Sequence, residues 1–154
     1  MLLTDFCEKD FEGLYDFMRP LWLETYGGFL PLEQIEFLLH KYFSPEGLAH
    51  FRAQGYRYQK IADAGVLVTV ERGEDVYVDK LYLLPSHRGH GYAKAVFEQL
   101  KTLGKDITLN VNQANERAVK CYLKNGFVVE RQVEILLDNG MVNCDYEMRL
   151  HVKQ

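Results

Sequence analysis

The chain has 154 residues, a formal net charge of -4, 47% hydrophobic and 26% charged residues. Those proportions suit one globular domain with a buried core, and the acidic balance argues against a nucleic-acid partner while tolerating a cationic one. Three cysteines, Cys7, Cys121 and Cys144, form no disulfide or zinc pattern and predict a reduced, cytoplasmic setting. The Met-Leu-Leu-Thr-Asp-Phe start lacks the basic flank and apolar run of a signal peptide, and no run approaches the ~18 residues of a membrane helix.

Met1 to Phe6 is apolar enough for an edge strand. Asp10 is then expected to cap a helix whose buried positions are Phe11, Leu14, Tyr15, Met18, Leu21 and Trp22, with a kink or break near Pro20. The paired glycines in Tyr26-Gly27-Gly28-Phe29 predict a loop. Pro31 suits the first position of a second helix, with Leu32, Ile35, Leu38, Leu39 and Tyr42 as its stripe. Ser44-Pro45 reads as a cap and first turn of a shorter helix ending near Gln54.

From Gly55 the period changes to two. Strands are expected over Tyr56 to Lys60, Gly65 to Val70 and Val76 to Leu84, the last two joined by an Arg72-Gly73-Glu74-Asp75 turn. Ala93, Val96, Phe97, Leu100 and Leu103 then give one buried helical face. Ile107, Leu109 and Val111 mark another strand, and Asn115 to Asn125 a helix closed by Gly126. Val128 to Leu137 and Met141 to Val152 flank Asp138-Asn139-Gly140, a hairpin signal.

Between the third strand and its helix lies Arg88-Gly89-His90-Gly91-Tyr92-Ala93. Two glycines let main chain come close to a bulky group, and the free amides that open a helix make an anion site suited to a pyrophosphate. A dinucleotide fingerprint fails because Lys94 stands where its third glycine belongs, and no Gly-Lys-Ser/Thr follows to make a Walker loop. The pattern that fits is R-x-x-G-x-A. Further on, Asn115, Ala118, Tyr122, Gly126 and Phe127 fit N-x-x-A-x-x-x-Y-x-x-x-G-F in register.

Together these two motifs, in this order and on these elements, resemble the GNAT superfamily of N-acetyltransferases, in its single-domain, bacterial form. The likeness holds at motif level from about Tyr56 to Leu150 and in element order over the whole chain. It implies an α+β fold, a three-layer sandwich in which helices flank a mixed, largely antiparallel sheet, and one domain over 1–154. It implies acetyl-CoA as acyl donor and no metal. The donor's phosphates would lie on Arg88, Gly89, His90, Gly91, Tyr92, Ala93 and Lys94. Its pantetheine would run along Leu81, Tyr82 and Leu83 and meet Asn115, for which an N-cap is the plainer role. Tyr122 would be the general acid for the leaving thiolate, against the alternative of a core tyrosine.

A base is harder to name. Some relatives place a glutamate where this chain has Asn110, which cannot accept the proton. Others place an acid at the start of the loop-bearing strand, and Asp79 matches that position; the alternative is a surface carboxylate paired with Lys80 or Arg57. His87 and His90 lack the further ligands of a metal site, and Cys121 reads as packing. The resemblance points to a small-molecule amine, polyamine-like by layout, as acceptor, with no nucleic-acid or membrane partner and room for a homodimer. The alternatives are an N-terminal protein acetyltransferase of the ribosomal-protein type and a non-catalytic acyl-CoA sensor.

Overall fold

The computed structural model describes residues 1–152. Strand β1 (Leu3–Asp5) leads into four helices, α1 (Glu8–Glu12), α2 (Leu14–Tyr26), α3 (Leu32–Phe43) and α4 (Pro45–Ala53). A meander follows, β2 (Arg57–Ile61), β3 (Gly65–Arg72) and β4 (Asp75–Leu83), then α5 (Tyr92–Lys101), β5 (Asp106–Asn112), α6 (Glu116–Lys124) and the hairpin β6 (Val128–Leu136) and β7 (Val142–Leu150). The seven strands form one sheet in the order β1-β2-β3-β4-β5-β7-β6. Every neighbouring pair is antiparallel except β4 and β5. This is the mixed α+β sandwich that the element order implies.

Alternation along the strands sends successive side chains to opposite faces. On β3, Leu67 joins one core with Val78, Val96, Phe97, Ile107, Leu109 and Phe127, packed beneath α5 and α6. Its neighbours Val66 and Val68 join another with Leu14, Met18, Trp22, Ile35, Leu39 and Phe43, beneath α2 and α3. Burial of these two apolar sets, at about 25 cal/mol per Å² of apolar surface, is the main drive for the layered arrangement.

Several helix ends differ from expectation. The break falls at Gly13, and α2 runs on through Pro20. Pro20 is exposed, so the carbonyl left without a donor one turn earlier can be met by water. Asp10 sits inside α1, not at its cap: Cys7 is the N-cap, and the Cys7 amide donates to Asp10 Oδ2 at 2.9 Å. Pro31 likewise takes the N-cap of α3. Ser44 caps α4 as expected, accepting from the Gly47 amide at 3.1 Å, with Pro45 in the first turn. No helix among the described residues is long and apolar enough to cross a membrane.

Two irregularities shape the site. Val68 pairs with Lys80 but Thr69 pairs with Val78, which leaves Asp79 as the extra residue of a β-bulge. The parallel ladder between β4 and β5 also stops at Val78 and Leu109. Beyond it β4 stays with β3 as far as Leu83, and β5 stays with β7 as far as Asn112. The two central strands therefore diverge, and each presents an unpaired main-chain edge to the gap.

Candidate active site

On the α5/α6 side, the gap ends at the loop singled out in the sequence. A short 3₁₀ turn, Pro85–His87, leads to extended Arg88, and Gly89 and Gly91 adopt φ of +76° and +84° before α5 begins. Glycine reaches that region without the penalty a side chain incurs. A Cβ on either would meet no protein atom within 4 Å, so the space before the loop is open. The first helical bond into this turn is from Ala95 to Gly91, at 3.0 Å. The amides of Tyr92, Ala93 and Lys94 come before it and lack an intrahelical partner, which leaves them to an anion.

His90 is exposed, while His87 Nε2 turns to Asp63 at 3.7 Å and packs near Tyr92. Arg88 is held by Glu24 of α2 at 2.8 Å, and the same carboxylate reaches Arg117 of α6 at 3.3 Å.

Helix α6 brings the second motif to the same gap. Asn115 is its N-cap, and the side-chain oxygen accepts from the Ala118 amide at 3.4 Å. Its amide nitrogen donates to no group among the described residues, so the capping role and a ligand-binding role are compatible. Tyr122 packs its ring near Phe97 and Phe127, with centroids 6.1 and 5.7 Å away. Its hydroxyl has no hydrogen-bond partner among the described residues, and burial pushes its pKa well above the usual tyrosine value. The phenol thus keeps its proton at physiological pH. Burial also raises the Cys121 thiol, and Asn125 donates to that residue's carbonyl at 2.8 Å, in keeping with a packing role.

A cavity of about 910 Å³ runs through the gap. Gly89, Gly91, Ala93, Asn115 and Tyr122 line it from one side of the sheet, and Trp22, Tyr26, Tyr42, Tyr77, Asp79 and Asp145 from the other. Leu81, Tyr82 and Leu83 lie along it. The sheet is therefore pierced where its strands separate, and a molecule seated on the helix-opening amides can meet one seated under α2 and α3.

The match to the acetyltransferase (GNAT) family model covers residues 14–127, a span that includes the loop, the diverging strands and all of α6. The chain belongs to this family. Among curated GNAT-type relatives, it is 39% identical over 59 residues to the peptidyl-lysine N-acetyltransferase YjaB of Salmonella typhimurium, covering 38% of this chain and 41% of that protein. It is 40% identical over 65 residues to the uncharacterized N-acetyltransferase Rv2669 of Mycobacterium tuberculosis, covering 38% and 42%. The matched part thus spans less than half the length of either relative.

Among solved structures, the PaiA N-acetyltransferase of Thermoplasma acidophilum in complex with coenzyme A aligns with TM-score 0.74 at 23% identity, over 96% of both chains. The spermidine N-acetyltransferase of Vibrio cholerae in complex with CoA and spermine aligns at 0.63 and 21%, over 96% and 93%. At those identities the likeness shows the GNAT fold.

The α2/α3 side of this cavity holds what the motifs do not describe. Asp79, on the bulge, hydrogen-bonds Lys80 Nζ; Arg57, the other partner weighed for it, pairs instead with Asp5 at 2.7 Å. Asp79 is no open surface carboxylate, since its side chain is only 17% exposed. Lys80 is 7% exposed and sits 3.7 Å from the centre of the Tyr42 ring. Burial lowers its pKa, and Asp79 opposes that shift by favouring the ammonium. The hydroxyls of Tyr26 and Tyr82 hydrogen-bond each other.

Asp145 of β7 was not singled out from the sequence. It is 9% exposed, lines the cavity, and burial pushes its carboxyl up to about 6. In the sequence it is one of the alternating polar residues Asn143, Asp145, Glu147 and Arg149, a pattern that reads as a solvated strand face. In the fold α3 reaches this face, where Gln34 Nε2 donates to Asn143 Oδ1.

Proposed function

We propose that the protein transfers the acetyl group of acetyl-CoA to the primary amine of a small, polyamine-like molecule, by direct attack while both are bound. The observation that carries this reading is the single cavity that links an anion cradle at Gly89, Gly91 and the start of α5 to an acidic, aromatic chamber, with Tyr122 in its wall.

The residues present fit the donor. Diphosphate would rest on the amides of the loop and of Tyr92, Ala93 and Lys94, with the helix dipole adding to the attraction. Arg88 adds charge once released from Glu24. Pantetheine would lie against the free main-chain edge at Leu81, Tyr82 and Leu83 and meet the unpartnered amide of Asn115. The acceptor fits the other half. Asp79 and Asp145 supply negative charge, and the faces of Trp22, Tyr26 and Tyr42 suit an alkylammonium through cation–π attraction and apolar contact. A small linear amine with more than one positive charge uses all of these groups.

Two protons leave an ammonium nitrogen as it becomes an amide. A carboxylate of the chamber takes the first, which frees the nitrogen lone pair to attack the thioester carbonyl. As the carbon–sulfur bond breaks, Tyr122 gives its proton to the sulfur and recovers the second proton from nitrogen. Holding both reactants in one cavity removes much of the entropic barrier, worth up to ~7–11 kcal/mol.

The test is Tyr122→Phe. Thiol release from acetyl-CoA should fall about a hundredfold or more, the usual worth of a general acid, while calorimetric affinity for CoA stays within about twofold. Thiol release equal to wild type would remove Tyr122 from the chemistry. Unaltered CoA binding with no thiol release by the wild type under any amine would favour an acyl-CoA sensor.

A further inference from the structure

We propose that Asp145 is the general base of the acceptor site, and that Asp79, paired with Lys80, serves as a fixed counter-charge. This rests on the acetyl-transfer reading above and names the group that the sequence left open.

The two carboxylates share one chamber but not one environment. Asp79 is hydrogen-bonded to a buried ammonium that is itself fixed against the Tyr42 ring. A proton arriving on Asp79 would break that pair and leave Lys80 without its counter-ion, which is costly in a buried site. The Asp145 carboxylate has neither a hydrogen bond nor an ion pair among the described residues. It stands in the middle of β7, opposite Asn112 of β5 and Val133 of β6, neither of which carries charge. Across the chamber it faces Tyr26 of α2, Tyr42 of α3, and Tyr77, Asp79 and Lys80 of β4. The fields of both Asp79 and Asp145 act on Tyr26, Tyr42 and Tyr77, so the two acids bracket the same small volume. On the hairpin the nearby charges are spent: Glu147 pairs with Arg131, and Glu134 is exposed.

An unpaired carboxylate in that position is ready to receive a proton, and its burial suits it to the task. Its midpoint near 6 makes it roughly a hundredfold better proton acceptor than an exposed aspartate, yet it remains mostly ionised at neutral pH. The first proton of the substrate ammonium passes to Asp145 and on to solvent. The second is exchanged through Tyr122, whose own proton goes to the sulfur. Ammonium plus thioester therefore give amide, thiol and one released proton, and both side chains end as they began. Asp79, paired with Lys80, holds a second positive charge of the acceptor.

Asp145→Asn keeps the shape of the side chain and removes the proton acceptor. We expect kcat/KM for the acceptor to fall by about a hundredfold or more, and the acidic limb near pH 6 to vanish, with the KM for acetyl-CoA unchanged. Asp79→Asn should raise the acceptor KM but keep that limb. Carboxyl carbon-13 NMR of the ligand-free wild type should show a resonance titrating near 6 that is missing from Asp145→Asn. A resonance titrating near 4, or an Asp145→Asn enzyme with its acidic limb intact, would overturn the assignment. A wild type with the shifted resonance but no turnover with any amine would instead overturn the transfer reading, and the base assignment with it.

Discussion

On the α5/α6 side of the diverging strands the site is mostly main chain, namely helix-opening amides, two glycines with positive φ and an unpaired strand edge, joined by the Asn115 and Tyr122 side chains. On the α2/α3 side it is made of side chains: Asp145, the Asp79–Lys80 pair and the aromatic rings around them. Main chain can bind a group shared by all acyl-CoA molecules, since a diphosphate needs only amides and room. Side chains must distinguish one amine from another, and their placement depends on how helices from the first third of the chain settle on the sheet. On the proposed reading, donor and acceptor recognition should therefore be separable by mutation.

Among single changes on the acceptor side, Lys80→Met should cost the most stability. It leaves Asp79 with no counter-ion in a mostly buried site, which should cost about 3 kcal/mol of stability, read as a fall in urea midpoint. Surviving enzyme should have a raised acceptor KM and ordinary affinity for CoA. A comparable loss on the donor side would blur the division.

A second change should act in the opposite direction. A carboxyl whose folded pKa lies above its unfolded value contributes stability that is present below about 3.8 and lost as pH rises through about 6. Ionised Asp145 is thus a burden at pH 8. Asp145→Asn should unfold at a higher urea concentration than wild type at pH 8, by roughly 3 kcal/mol, and lose that advantage at pH 4. An unchanged difference across that range would mean that Asp145 is better solvated than its burial suggests.

The smallest of the three belongs to the donor side. Gly91→Val puts a β-branched residue at φ +84°, where the penalty is about 1–3 kcal/mol. If part of that strain is relieved by moving the loop, the KM for acetyl-CoA should rise about tenfold, with the acceptor KM unmoved.

The same division explains what the sequence made legible. Gly89 and Gly91 could be read because a main-chain site needs particular residues at fixed spacing within one strand–loop–helix unit, and Asn115 because it opens the helix of the next such unit. Tyr122 stood out because it shares a short helix with Asn115 and Gly126. Asp145 could not be read this way: its burial depends on the packing of distant parts of the chain, as where Gln34 of α3 bonds Asn143 on the same strand face. Lys80 was seen only as a partner for Asp79, because a lysine on a strand is ordinarily solvated; the bulge and the Tyr42 ring bury it. The helix ends differed for a local reason. Gly13 separates α1 from α2, while the exposed Pro20 is tolerated within α2.

Thiol release from acetyl-CoA, measured across spermidine, aminoglycosides, free amino acids and peptides with free N-termini, tests the central claim most directly. Release that saturates with spermidine, and is weak with the peptides, is the predicted result. Binding of acetyl-CoA without release under any of these amines would contradict it.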